Sequence, residues 1–152
     1  MTQSRVLIIG YGNPLRSDDG LGWHAAEALA DHFRGRPEIH VLACQQLTPD
    51  LADDLSAVDL AVFIDASRDL KPGFLKVEPI NDGAQLSGAA ASPYSHHVQP
   101  AALLHLCQDL WGRAPQGFLL SVGVSDCAAG EALSRELDRA VDSVVHKVAT
   151  LV

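Results

Sequence analysis

The chain is poor in aromatic residues, at 5%, and poor in basic ones, with 11 Lys and Arg against 19 Asp and Glu over 152 residues. The resulting formal charge of −8 repels phosphate backbones and anionic membrane surfaces, which argues against nucleic acid or membrane as a partner. Cysteine is scarce too. Cys44, Cys107 and Cys127 lie far apart with no C-x-x-C pair, so neither a zinc knuckle nor a disulfide framework is readable, and buried free thiols are expected. No apolar run approaches the roughly 20 residues of a membrane helix. Met-Thr-Gln-Ser-Arg leads directly into Val6-Leu7-Ile8-Ile9, too short for a signal-peptide core and with no small-residue cleavage site behind it, so a cytoplasmic protein is expected. The G-x-S-x-G elbow, the H-E-x-x-H helix and cysteine-peptidase signatures are missing as well, and no protein nucleophile is identifiable.

What is present is ordinary globular material. With 47% hydrophobic and 20% charged residues, the chain falls outside disordered, collagen-like and coiled-coil compositions, and its length suits one domain over residues 1–152. Val6–Ile9 is a continuous apolar run closed by Gly10-Tyr11-Gly12-Asn13-Pro14, which predicts a buried strand and a turn. Leu21, Ala25, Ala28, Leu29 and Phe33 recur at steps of three and four, predicting a helix with Asp18 or Asp19 near its start. Ile39, Val41 and Ala43 mark a partly exposed strand, and Thr48-Pro49 predicts the cap and first residue of a short helix through Leu51 and Leu55. Leu60–Ile64 is apolar on both faces, as a central parallel strand should be, and delivers Asp65 at its carboxyl end.

Further along, Phe74–Ile80 reads as a strand, Asn81–Ser95 as a long polar loop, Pro100–Leu110 as a helix and Phe118–Val124 as another buried strand. Ser134 reads as the cap of a last helix with an apolar stripe of Leu137, Val141, Val144, Val148 and Leu151. Strands alternating with helices predict a single three-layer α/β/α sandwich with a mostly parallel twisted sheet. Ligands in such sheets sit beyond the carboxyl ends of the strands, where the segments Gly10–Asp19, Asp65 and Gly123–Asp126 converge.

Gly10-x-Gly12 after a first strand invites a dinucleotide reading, but Leu15 stands where the third glycine belongs and no acid ends the second strand. The glycines are accounted for by a tight strand-to-loop turn. Asp18-Asp19 admits two readings: a helix cap with a solvated neighbour, or two carboxylates that share a cation. Asp65 follows a fully apolar run, where a carboxylate is costly unless it is hydrogen-bonded, paired or metal-bound; a turn cap with Ser67 is the other reading. His96-His97 ends the polar loop, where either imidazole can turn inward or face solvent. Two carboxylates with one imidazole suit a borderline divalent metal such as nickel, zinc or manganese, with open positions for a substrate. His24, His32, His40, His105 and His146 read as surface or satisfied core residues.

Taken together, Ile9–Gly22, Val62-Phe63-Ile64-Asp65-Ala66, Ser95-His96-His97 and Ser121–Val124 with Gly130–Ser134 resemble the nickel–iron (NiFe) hydrogenase maturation endopeptidases over nearly the whole chain. The resemblance implies an aspartic-type endopeptidase that removes the C-terminal extension of a hydrogenase large-subunit precursor after nickel insertion. It implies metal ligands at Asp19, Asp65 and His97, with His96 as the alternative ligand and Gly12, Asn13 and Asp18 as the supporting loop. Asp19 stands where many members carry Glu, one methylene longer. The implied nickel is carried by the precursor, zinc or cadmium being able to take the same ligands in vitro, and the implied enzyme is a monomer. Two other readings use the same residues. One is a nickel carrier or docking factor that does not cut. The other is a hydrolase of peptidyl-tRNA, whose family opens similarly but needs a His after the loop, where this chain has Asp18-Asp19, and a basic surface. Asn81–Ser92, long and polar, is the segment expected to choose the partner.

Overall fold

The two most continuous apolar runs of the chain become adjacent strands at the middle of a five-stranded sheet, buried on both faces. The structure, a computed structural model, describes residues 5–12, 20–80, 98–124 and 131–152, the side chains of 131–137 excepted. Its elements in chain order are β1 (Val6–Tyr11), α1 (Leu21–His32), β2 (Ile39–Cys44), α2 (Leu51–Ser56), β3 (Leu60–Ser67), β4 (Leu75–Ile80), α3 (Pro100–Trp111), β5 (Gln116–Gly123) and α4 (Glu131–Leu151). The strand order is β2-β1-β3-β5-β4, parallel throughout except for β4, which runs antiparallel along β5 at one edge. This is the expected three-layer α/β sandwich.

Strand alternation divides the core in two. Val6, Ile8, Val62, Ile64, Leu120 and Val122 face one way and pack with Leu21, Ala25 and Leu29 of α1 and Val144 and Val148 of α4. Leu7, Ile9, Ala61 and Phe63 face the other way, onto Leu51 and Leu55 of α2 and Leu103, Leu104 and Cys107 of α3. The stripe foreseen on the last helix is borne out where it is described: Val144 and Val148 are fully buried, Val141 and Leu151 partly so, while the Leu137 side chain lies outside the described residues. No helix among the described residues is long and apolar enough to cross a membrane.

Several boundaries differ from the sequence expectation, each for a local reason. β1 runs on to Tyr11 because Tyr11 still pairs with Cys44. β3 continues through Asp65 to Ser67 because β5 pairs with it as far as Gly123, so Asp65 lies inside the strand. Gly20, and neither Asp18 nor Asp19, holds the cap position of α1. Thr48-Pro49 does not cap α2: the Thr48 and Pro49 carbonyls accept from Leu51 and Ala52 N–H groups in tight turns, and Asp50 takes the cap position. Phe74 stands exposed before β4, whose first residue is Leu75. α4 begins at Glu131, so Ser134 is inside it; Glu131, Ala132 and Leu133 are all strong helix formers that extend the helix upstream. Asn81–Ser95, with the Asn81–Ser92 segment expected to choose the partner, lies outside the described residues, as does Cys127.

α1 lies on the sheet with unusual closeness. A Cβ on Gly22 would meet the Tyr11 carbonyl oxygen inside van der Waals contact, with Tyr11 N at 2.8 Å and the Ile64 carbonyl oxygen at 2.9 Å. A Cβ on Gly10 would in turn meet the Gly22 carbonyl oxygen. Backbone therefore packs on backbone here. This contact fixes the start of α1 against the carboxyl ends of β1 and β3.

Candidate active site at the carboxyl edge

The site is built from strand parity. Leu7, Ile9 and Tyr11 share one face of β1; Ala61, Phe63 and Asp65 share the same face of β3. Gly10 pairs with Ile64, so Tyr11 and Asp65 follow side by side at the carboxyl edge. Cys44 pairs with Tyr11 on the outer side and Ser121 pairs with Asp65 on the inner side. The result is a lateral row of Cys44, Tyr11, Asp65 and Ser121, directly beyond an apolar layer.

Within that row the Tyr11 hydroxyl donates a hydrogen bond to the Asp65 carboxylate. Burial, first, and then the Asp65 charge, that hydrogen bond and Cys44 push the Tyr11 phenol above its ordinary value, so it stays a neutral donor at any working pH. Asp65 is half-buried, and the Tyr11 bond lowers the cost of placing a carboxylate after an apolar run. A carboxylate offers about four acceptor positions, so this bond is compatible with a cation on the same group.

Gly12 is where β1 leaves the sheet. Its N–H donates to the Cys44 carbonyl at 3.0 Å and its φ of 148° is a conformation that side-chain-bearing residues rarely adopt. The chain is next described at Gly20, which is buried and begins α1 against β1 and β3. On the opposite side of the sheet α3 begins at Pro100, and Val98 packs on the same apolar cluster as Tyr11. Of the candidate site residues, Gly12 and Asp65 are thus placed at the carboxyl edge, while Asn13, Asp18, Asp19, His96 and His97 lie outside the described residues. Among the described residues no three His, Cys, Asp or Glu side chains come together to hold a metal. The test of fit therefore falls on Asp65 alone, whose half-exposed, hydrogen-bonded carboxylate at the open end of the sheet suits such a role.

Tyr11 was not singled out by residue type or spacing. The signal that finds it is parity with register: an aromatic with a polar tip, on the core-facing side of β1, level with the acid of the neighbouring strand. The other five histidines lie on helices or on β2, and all but His24 are exposed. A recess of about 730 Å³ lies at the opposite, amino end of the sheet, between Val6, Ile39, Leu60, Gln116 and the C-terminal Val152, far from Asp65.

Both described thiols are free, Cys107 buried and Cys44 half-buried. Burial raises each above the ordinary thiol value, reinforced at Cys44 by Asp50 and opposed at Cys107 by Arg113. The folded chain therefore retains protons that the unfolded chain releases from about pH 8.5. This contribution is present below that pH and is lost as pH rises through the raised native values. Urea unfolding between about pH 8 and 10 is expected to show stability falling by up to about 1.4 kcal/mol per pH unit per thiol, less steeply in Cys107→Ala. An identical slope in that variant would show the native thiol titrating normally.

An α/β/α sandwich around a mostly parallel five-stranded sheet defines the structural class, and solved structures share this fold. The endopeptidase HybD from Escherichia coli superposes with a TM-score of 0.70 at 19% identity, covering 96% of this chain and 93% of that one. The NiFe hydrogenase maturation protease HybD from Thermococcus kodakarensis gives 0.68 at 25% identity, covering 97% and 98%. HycI from the same organism gives 0.68 at 19% identity, covering 94% and 91%. The chain thus has the fold of the hydrogenase maturation proteases, as its motifs led one to expect. A peptidyl-tRNA hydrolase from Acinetobacter baumannii shares the fold more distantly, with a TM-score of 0.58 at 14% identity, covering 98% and 90%. No protein-family model and no curated protein sequence matches the chain.

Proposed function

We propose that this chain is an endopeptidase that removes the C-terminal extension of a NiFe hydrogenase large-subunit precursor once nickel has been inserted. The observation that carries the reading is Asp65, held by Tyr11 at the carboxyl edge of the central strand, in a fold shared with proteins named as maturation proteases. Nickel belongs to the substrate in this reading. Asp65, with Asp19 and His97 (or His96) from the chain on either side, supplies oxygen and nitrogen ligands that hold a metal loosely until the precursor's own thiolates complete its shell. Support for that grouping is positional: Gly20, which follows Asp19, is buried at the start of α1, and Val98, which follows His97, packs on the apolar cluster that also receives Tyr11. Zinc or cadmium would be bound by the same atoms in vitro.

In this reading the chain's own residues perform recognition and orientation. The α1 contact through Gly22 sets where the Asp18-Asp19 segment rejoins the fold, and Tyr11 fixes the Asp65 carboxylate. Water attacks the scissile carbonyl in a hydrolysis of aspartic type, assisted by carboxylate in place of a serine or cysteine nucleophile. We place the activity in the cytoplasm and in a monomer. The peptidyl-tRNA hydrolase alternative shares only the fold and is opposed by the charge of −8.

Intact mass of a nickel-loaded large-subunit precursor, with and without this protein, tests the reading. Loss of a short C-terminal peptide from the loaded precursor, and none from the nickel-free one, is expected; Asp19→Asn and His97→Ala should abolish it. No loss, with the precursor's nickel content verified, would replace the peptidase by a carrier or docking factor.

A further inference from the structure

Lys71-Pro72-Gly73-Phe74 has the residue order of a type II turn, proline second and glycine third. The structure has that turn: Phe74 N–H donates to the Lys71 carbonyl at 2.9 Å, and Gly73 has a φ of 84°. A turn of this kind brings its first and last Cα atoms within about 7 Å, so an ammonium and an aromatic ring stand side by side. Phe74 is 57% exposed, Lys71 and Pro72 are exposed with it, and Lys71 makes no ion pair among the described residues. The turn is clamped to the end of β5. Gly73 N–H donates to the Gly123 carbonyl and Gly123 N–H to the Phe74 carbonyl, both at 2.8 Å, and a Cβ on Gly123 would meet the Lys71 carbonyl oxygen inside van der Waals contact. With most of its ring in water Phe74 adds little to the core, and a polar residue would make the same backbone hydrogen bonds.

Register sets where this turn lies. Gly123 pairs with Ser67 and Ser121 with Asp65, so strand spacing puts Gly123 roughly 8 Å from Asp65, backbone to backbone, at the same carboxyl edge. Two or three residues of extended peptide span that distance. The other exposed large apolar side chains, Leu110 and Trp111, end α3 at the amino end of the sheet, where Arg113 binds the Ser56 and Val58 carbonyls ahead of β3. A charge of −8 makes most of the surface repel a carboxylate, and Lys71 offers one a cation beside the aromatic.

We propose that Phe74 and Lys71 dock the precursor's C-terminal extension just past the scissile bond, Phe74 covering an apolar side chain and Lys71 pairing with a carboxylate of the extension. This rests on the peptidase reading above. A turn already fixed in the free protein loses little freedom on binding, and buried aromatic anchors carry a large share of interface energy.

The test uses the full chain and two probes: the nickel-loaded precursor with its extension, and the same precursor truncated at the cleavage position. Affinity is measured by biolayer interferometry for the wild type, Phe74→Ala, Lys71→Gln and Leu110→Ala, with thermal unfolding of each. Phe74→Ala is expected to weaken binding of the extended precursor at least about tenfold and Lys71→Gln about threefold, with neither changing the affinity for the truncated one. Leu110→Ala removes an equally exposed apolar side chain at the far end of the sheet and should change nothing. In cleavage assays KM should rise in parallel, with kcat held. Binding of the extended precursor by Phe74→Ala within about twofold of the wild type, or an equal loss for both precursors, overturns the docking point. A wild type that binds the extension through Phe74 yet leaves it uncut overturns the peptidase reading and keeps the docking point. A wild type that binds neither precursor, or both alike, overturns the docking point whatever the cleavage.

Discussion

Asp65→Asn is expected to reduce removal of the C-terminal extension at least about 100-fold while leaving the chain folded. The carboxylate stands half-buried at the end of an apolar strand segment, where the charge has a use or would be selected away, since burying it costs free energy. Asparagine keeps the shape of the side chain and an oxygen to accept from Tyr11, so the local hydrogen bond has a replacement. What it removes is the negative charge and the second strong acceptor. Loss of a ligand should therefore exceed the roughly 10–100-fold effect of losing a ligand's hydrogen-bond partner. Stability should move by no more than about 1 kcal/mol, because one neutral hydrogen bond replaces one charged bond. The comparison is Asp53→Asn, on the exposed face of α2, which should process precursor at the wild-type rate. A time course by intact mass, with thermal unfolding of each variant, reads both quantities. Wild-type processing by Asp65→Asn would remove Asp65 from the chemistry, and with it the proposed site.

Much of the scaffold was legible because a parallel sheet covered on both faces imposes a simple pattern. Val6–Ile9 and Leu60–Ile64 are continuous apolar runs for that reason, and Asp65 stood out as the first polar residue after one of them. The stripe on α4 was legible because a long helix with one buried face repeats its apolar residues every three or four positions. Other features have no local signature. The direction of β4 depends on which edge of the sheet is open, and nothing within Leu75–Ile80 specifies antiparallel pairing. The cap of α2 was misplaced because Thr48 is a good capping residue by type, whereas turns at Thr48–Asp50 decide the start; α1 begins at Leu21, just after Asp18-Asp19 as expected, with Gly20 in the cap position. The Tyr11–Asp65 pair is a product of register, which local propensity does not encode. Asp19 and His97 were named through resemblance, since spacing alone does not join residues so far apart in sequence, and both lie outside the described residues.

Gly22→Ala is expected to destabilise the chain by roughly 2 kcal/mol, against the direction of helix propensity. In an uncrowded helix the change would stabilise by up to about 1 kcal/mol, because glycine loses more backbone freedom on folding. Here the added methyl would collide with the Tyr11 carbonyl oxygen and press on Tyr11 N at 2.8 Å and the Ile64 carbonyl oxygen at 2.9 Å. All three are backbone atoms of the central strands, so no side-chain rotation relieves the overlap and α1 must lift from the sheet. Overpacking of this kind costs typically about 1–3 kcal/mol, and rigid partners place it at the upper end, enough to outweigh the helical gain. A shift of about 4–8 °C in Tm follows for a chain of this size. The same lift would carry Gly20, where α1 begins, away from the carboxyl ends of β1 and β3. Processing should then fall by more than the loss of folded protein explains. Urea unfolding and precursor cleavage measured on the same preparation separate the two effects. Equal or greater stability in Gly22→Ala would show that the helix accommodates the methyl at no cost, and that the start of α1 is not set by this contact.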